Sequence, residues 1–242
     1  LKNFKADLHV HTCLSPCADV GMSPRRIAEH AQKRGIDILG VCDHNSAENA
    51  AAVSESAARF GIRVLPGLEI TSREEVHILA LFEEVDAALS MQDEVYAHLA
   101  GDVDQAAFGP QVIADAHDVV LGFCRKLLLD ATSFSLEGVV DHIRSRKGLA
   151  IAAHVDREAF GLVGQLGFIP DRPALDAIEI SFRLSTAEAR ERYGAARPLI
   201  RSSDAHALEE IGRATTLFTL EAAAVEEIRM ALADAGGRHI LP

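Results

Sequence analysis

Residues 4–12 read Phe4-Lys5-Ala6-Asp7-Leu8-His9-Val10-His11-Thr12. The run reads as a β-strand that ends in two His. Alternate residues of a strand face the same side. His9 and His11 therefore share one face, about 6–7 Å apart along the chain. Two imidazoles on one side of a strand end can clamp a single divalent ion. An isolated His-x-His also arises by chance, so the rest of the chain decides its weight.

The pattern recurs along the sequence. A strand over 36–42 runs into Asp43-His44-Asn45, and one over 62–70 carries Glu69 near its end. Residues 75–82 form a further strand around Val76-His77-Ile78, and 149–154 closes on His154. A strand over 198–202 leads into Ser203-Asp204-Ala205-His206. Six strand ends thus carry His, Asp or Glu. A buried strand terminus is a costly place for polar groups without partners. Other strands are expected over 177–181 and 215–220. Helical patterns fill 24–34, 47–60, 136–146, 186–193 and 221–235. The first has Ser23 as N-cap, Pro24 at the first helical position and Gly35 as stop. Repeated strand–helix units predict an α/β fold with parallel strands and right-handed crossovers. In a parallel barrel the C-terminal strand ends meet at one mouth, where active sites are built. Residues 83–134 differ, with helical patterns over 86–99, 111–119 and 122–129. They are read as a helical insertion or lid within one domain spanning 1–242.

The chain has 242 residues, 48% of them apolar and 25% charged, which is ordinary globular usage. No apolar run approaches a membrane span. The net charge of −12 repels a phosphate backbone. No long duplex nucleic acid is therefore expected as a partner. The 11 His are about double the usual share. Four Cys and no signal peptide suggest a reducing, cytoplasmic setting. The chain starts at Leu1 rather than Met, as a piece of a longer protein would.

His-x-His-Thr on the first strand, Asp-His on the second and Gly-Leu-Glu on the third precede His-Ile-Leu, Ala-His and Ser-Asp-Ala-His. In this order and spacing they resemble the polymerase-and-histidinol-phosphatase (PHP) family of metal-dependent phosphoesterases. The resemblance runs from His9 to His206. It implies a distorted seven-stranded (β/α)7 barrel, two or three divalent ions at the C-terminal mouth, and phosphate-ester hydrolysis. It implies that His9, His11, Glu69 and Asp204 hold a first ion. Glu69 would bridge to a second, completed by His77 and His154, while His44 and His206 would hold a third. The chemistry would rest on His9, His11, Glu69, Asp204 and His206. The family normally completes the third site with an Asp or His seven or eight residues after the first motif His. Those positions are Pro16 and Cys17 here, with Asp19 two further on. Cys17 is the favoured ligand, with Asp19 or water as alternatives. The mixed imidazole and carboxylate set suits zinc, manganese or iron better than magnesium or calcium.

Two such ions about 3.5–4 Å apart would neutralise a phosphate and acidify a shared water for in-line attack. Arg157, three residues after His154, is the first candidate to bind substrate phosphate, and Arg183 the second. A surface ion pair is the competing role for either. Asp7 is expected to orient a ligand imidazole from behind, and Asp43 to do the same or to assist proton transfer. Thr12 and Ser15 are read as caps of the following loop. The expected substrate is a small phosphorylated molecule, such as a nucleotide or short oligonucleotide. An amidohydrolase and a non-catalytic metal-binding accessory domain are the alternatives. The late strand ends offer no Lys for the modified-lysine bridge common in amidohydrolases.

Overall fold

The structure is a computed structural model that describes residues 1–194 and 197–241. It opens with β1 (Lys2–Val10), α1 (Pro24–Lys33), β2 (Ile38–His44), α2 (Ala50–Ala58), β3 (Arg63–Thr71) and β4 (His77–Leu81). Next come α3 (Val85–Ala97), a short α4 (Gln105–Phe108), β5 (Val112–Ala114), β6 (Val120–Phe123) and α5 (Leu136–Ser145). The second half continues with β7 (Leu149–Ala152), α6 (Leu162–Leu166), β8 (Ala177–Ile180), α7 (Thr186–Tyr193) and β9 (Leu199–Arg201). A 3-10 turn (Leu208–Glu210), β10 (Thr216–Leu220), α8 (Val225–Leu232) and β11 (His239–Ile240) complete it.

Among the described residues nine strands form one curled sheet in the order β11-β10-β1-β2-β3-β4-β7-β8-β9. This is the distorted barrel-like α/β fold expected from the sequence. Its strands are not all parallel, however. β4 runs antiparallel to both β3 and β7, and β10 antiparallel to β1. The link from β3 to β4 spans only residues 72–76. A parallel return needs a crossover of a dozen or more residues, so a link this short forces the antiparallel arrangement.

The sheet closes at its C-terminal rim. Beyond β9 the chain docks on the end of β1, with His11 N donating to Ala205 O at 3.0 Å and Ala205 N to His9 O at 3.3 Å. Between β9 and β10 a side chain replaces the ladder. Thr216 Oγ1 accepts from Arg201 N at 2.8 Å and donates to Arg201 O at 2.9 Å. Alternate strand residues divide between two cores. Ile38 and Cys42 join Leu8, Leu65, Ile151 and Phe218 inside the barrel. Leu39 and Val41 pack with Ile27, Ala31 and Val53 of the outer helices.

The helices follow the sequence patterns closely. Ser23 has the extended backbone of an N-cap, but its hydroxyl makes no capping bond. Ser185 and Glu188 form a full capping box on α7. The stretch 83–134 departs from expectation. Where helices were expected over 111–119 and 122–129, β5 and β6 form an antiparallel hairpin. Asp115 folds the turn, its side chain accepting from His117 N at 2.8 Å and Val119 N at 2.9 Å. Such an Asx turn between β-branched runs favours a hairpin over a helix. Met91, Val95, Leu99 and Leu128 of this stretch share a core with Ile78, Val139 and Ala152. Among the described residues no helix is long and apolar enough to cross a membrane.

Candidate metal centre

Strand register delivers the polar residues to one mouth. His44 lies opposite Glu69 across β2 and β3, and Thr71 opposite His77 across β3 and β4. Because β4 is antiparallel, its start faces the mouth, which is why His77 precedes its apolar run. His154 follows β7, and Asp204 and His206 follow β9. His154 and Asp204 adopt positive φ, 28° and 49°. For non-glycine residues this conformation is strained and persists only where surrounding contacts enforce it.

The geometry of the first group argues for a cation. His9 Nδ1 donates to Glu179 Oε2 at 3.0 Å. Ser15 Oγ donates to Asp43 Oδ1 at 2.6 Å and so accepts from His11 Nδ1 at 3.0 Å. This network leaves both Nε2 atoms as acceptors facing the interior. They stand 3.1 Å apart. His9 Nε2 is 3.4 Å from Glu69 Oε1 and 3.5 Å from Asp204 Oδ1. His11 Nε2 is 3.4 Å from Glu69 Oε2 and 3.3 Å from Asp204 Oδ1. Four buried acceptor groups facing one another repel unless a positive charge sits among them. The donor set and its convergence fit a divalent ion.

Glu69 is the hub. Its Oε1 contacts His77 Nδ1 at 2.7 Å and His154 Nε2 at 3.0 Å, and its Oε2 stands 3.0 Å from His44 Nδ1. Among the described residues three triads have ligand atoms within 4.8 Å of one another: His9, His11 and Asp204; His44, Glu69 and His77; and His11, His44 and His206. His44 thus stands close to Glu69 and His77 as well as to His206, its expected companion.

The protonation behaviour expresses the same demand for positive charge. Burial disfavours a charged His9, but the carboxylates of Glu179, Glu69 and Asp204 outweigh it and hold the imidazole well above its usual range. Burial also works against His44, yet Glu69 and the Cys17 contact raise it to about 10. Burial carries His77 down to about 4 and holds His11 well below its usual value. Burial would raise the Glu69 and Asp204 carboxyls, but the surrounding imidazoles keep both far below the carboxylate range. A divalent ion would displace the protons that the imidazoles otherwise take up.

Cys17 sits exposed on the rim, and its contacts with His206 and His44 overcome partial burial to lower the thiol to about 7. It lines the same cavity of about 290 Å³ as His44, Glu69, His77, His154 and His206. Asp19 is turned to its own loop, accepting from Gly21 N at 2.7 Å. Arg157 lines the cavity and pairs with Asp204 Oδ2. Arg183 is exposed outside that lining, its guanidinium 5.6 Å from the Phe182 ring.

The supporting residues differ in part from expectation. Asp7 touches no ligand imidazole through a hydrogen bond. It accepts from Ser203 N at 2.9 Å and Gly212 N at 2.8 Å, tethering the loop that carries Asp204. Burial raises its carboxyl to about 6. Asp43 reaches His11 only through Ser15, so Ser15 does more than cap a loop. Arg213 escaped the sequence reading. It donates to Ser203 O at 2.9 Å and Asp204 O at 3.3 Å, with its guanidinium 4.0 Å from the Phe182 ring. Glu179 was missed as well. It is buried on β8, and its Oε2 accepts from His154 N at 3.0 Å in addition to His9. A lone acid between Ile178 and Ile180 in a short apolar strand was the available signal.

The sequence model of the PHP domain family matches residues 7–169, and a PHP-associated model matches 195–235. An uncharacterized protein of Methanocaldococcus jannaschii is 32% identical over 101 residues, 38% of this chain and 59% of that protein. A 5'-3' exoribonuclease of Haemophilus influenzae is 31% identical over 80 residues, 32% of this chain and 28% of the enzyme. In fold, the chain is similar to the lesion-specific endonuclease Q of Pyrococcus furiosus, with a TM-score of 0.74 and 18% identity. That match covers 99% of this chain and 58% of the endonuclease. A complex of endonuclease Q with a 27-mer duplex bearing an abasic lesion matches at TM-score 0.71 and 17% identity, over 98% and 58% of the two chains. This likeness overturns the expectation that long duplex nucleic acid is excluded. A net charge averages the whole surface, whereas a duplex meets only the local field around a mouth.

Proposed function

The chain belongs to the PHP domain family, and from that premise we propose that it is a metal-dependent phosphoesterase. Its substrate would be a phosphate ester: a nucleotide, an oligonucleotide or another phosphorylated molecule. The observation that carries the reading is the inward meeting of His9 Nε2, His11 Nε2, Glu69 and Asp204 Oδ1, at 3.1 to 3.5 Å. Such a set demands a cation, and a cation cluster with an arginine beside it is suited to a phosphate.

His9, His11, Glu69 and Asp204 would hold one ion, and Glu69 with His77 and His154 a second. His44 and His206, with Cys17, would hold a third. When bound, such ions neutralise phosphate charge and acidify a water for attack on phosphorus. Zinc, manganese and iron suit the donors. Arg157 presents a planar fork at the same mouth, and its partner Asp204 would release it to phosphate as substrate enters. Asp7 and Arg213 fix the Asp204 loop, and Glu179 fixes His9. Asp43, through Ser15, fixes the tautomer of His11.

The test is metal analysis of protein loaded with Mn2+, Fe2+ or Zn2+. A screen of phosphate esters including 3',5'-bisphosphates, short oligonucleotides and histidinol phosphate then follows. Metal bound in at least two equivalents with turnover of one ester class is the expected result. Stoichiometric metal without hydrolysis would move the chain to an accessory, non-catalytic role.

A further inference from the structure

The cavity over the imidazole cluster is not uniformly polar. Beside the ligand candidates and Arg157 it is walled by two apolar side chains, Leu129 and Phe160. Phe160 is held there against its own backbone preference, at φ 60°. A bulky residue at positive φ is an outlier that neighbours must enforce. Here His77 enforces it twice. His77 N donates to Phe160 O at 3.0 Å, and the two rings stack with centroids 4.5 Å apart and planes 15° from parallel. His77 covers one face of the phenyl ring. Phe160 still retains 38% of its surface exposed. That exposed surface belongs to the wall of the cavity that Arg157 and the ligand candidates also line.

Resting on the phosphoesterase reading, we propose that Phe160 is a stacking platform for a planar aromatic group in the substrate, such as a nucleobase. The ions and Arg157 would take the phosphate, and the organic part would lie on the apolar wall of Phe160 and Leu129. A polyhydroxylated partner would gain less from that wall than a base, which offers a whole π-face to it. The ring's second role, covering His77, would be satisfied by any bulky apolar side chain.

The test compares equilibrium binding of adenosine 5'-monophosphate and ribose 5-phosphate to the Mn2+-loaded protein. These probes share the phosphate and sugar and differ in the base. The wild type is expected to favour the nucleotide by about tenfold, in line with stacking of one base. That ratio should fall to near one in Phe160→Leu, which keeps an apolar cover on His77, and should persist in Phe160→Trp. Equal affinities in the wild type, or a ratio surviving in Phe160→Leu, would overturn the proposal. Binding is read without turnover. A wild type that hydrolyses neither ester would count against the phosphoesterase reading alone, and the affinity ratio would still decide the stacking subsite.

Discussion

At the base of the barrel Phe4, Leu8, Ile38, Leu65, Ile151 and Phe218 pack together as a buried apolar cluster. At the mouth of the same strands, equally buried positions hold His9, His11, Asp43, Glu69 and His154. The base gains free energy by leaving water. The mouth spends it on desolvated, mutually repelling groups and on strained turns at Asn45, His154, Phe160 and Asp204. The contrast teaches that the two ends of one strand can serve opposite ends: the base stabilises, and the mouth stores a demand for positive charge that protons on the imidazoles or a bound cation can meet.

The sharpest way to break this division is a crossed pair of substitutions. His9→Ala or Asp204→Ala is expected to abolish turnover while circular dichroism and melting show a folded chain. Phe218→Ala, at the base, is expected to cost about 3–5 kcal/mol in denaturant unfolding. Turnover per folded molecule should stay near wild type in that variant. Unchanged turnover in His9→Ala would sink the site assignment.

Glu179→Gln tests whether support of the mouth can be separated from the mouth itself. It keeps an acceptor for His9 but removes the charge, and metal affinity is expected to fall about 10–100-fold with the fold intact. Competitive chelator titration reads this directly, and an unaltered affinity would reduce Glu179 to a packing role.

The pH dependence of metal-free protein supplies a smaller effect. Burial raises the Asp7 carboxyl from its usual 3.8 to about 6, so folding takes up a proton there. Its contribution to stability is full below pH 3.8 and lost as pH rises through about 6. Asp7→Asn cannot ionise, so the stability gap between wild type and variant should narrow from pH 4 to 7.5 in urea titrations. Parallel pH profiles would show that Asp7 does not titrate in this range. The smallest contrast lies on the rim. Arg157→Ala is expected to raise KM about tenfold, in keeping with loss of a charge-assisted phosphate contact. Arg183→Ala, outside the cavity lining, should stay within about twofold, in keeping with an exposed arginine.

Much of the site was legible in the sequence because strand periodicity is local. The end of β1 put His9 and His11 on one face. A hydrophobic run ending in an acid or His marked β2, β3, β7 and β9 in the same way. The hairpin of β5 and β6 was not legible as such, because Ala-rich neighbours masked a turn that Asp115 closes with its own side chain. Glu179 and Arg213 were missed for another reason. Glu179 acts on His9, which is distant in the chain, and Arg213 folds back on the carbonyls of Ser203 and Asp204, and nothing in the immediate sequence of either points there.

The sequence by itself determined which residue types end the strands, and so which chemistry the mouth can hold. Tertiary structure alone decided how they are shared. It made Glu69 the common partner of His44, His77 and His154, and closed the rim by docking Ala205 on β1. It also laid Phe160 over His77. Periodicity fixes the side of a strand that a residue faces. Convergence depends on the curl and register of strands distant in sequence, which only the folded sheet sets.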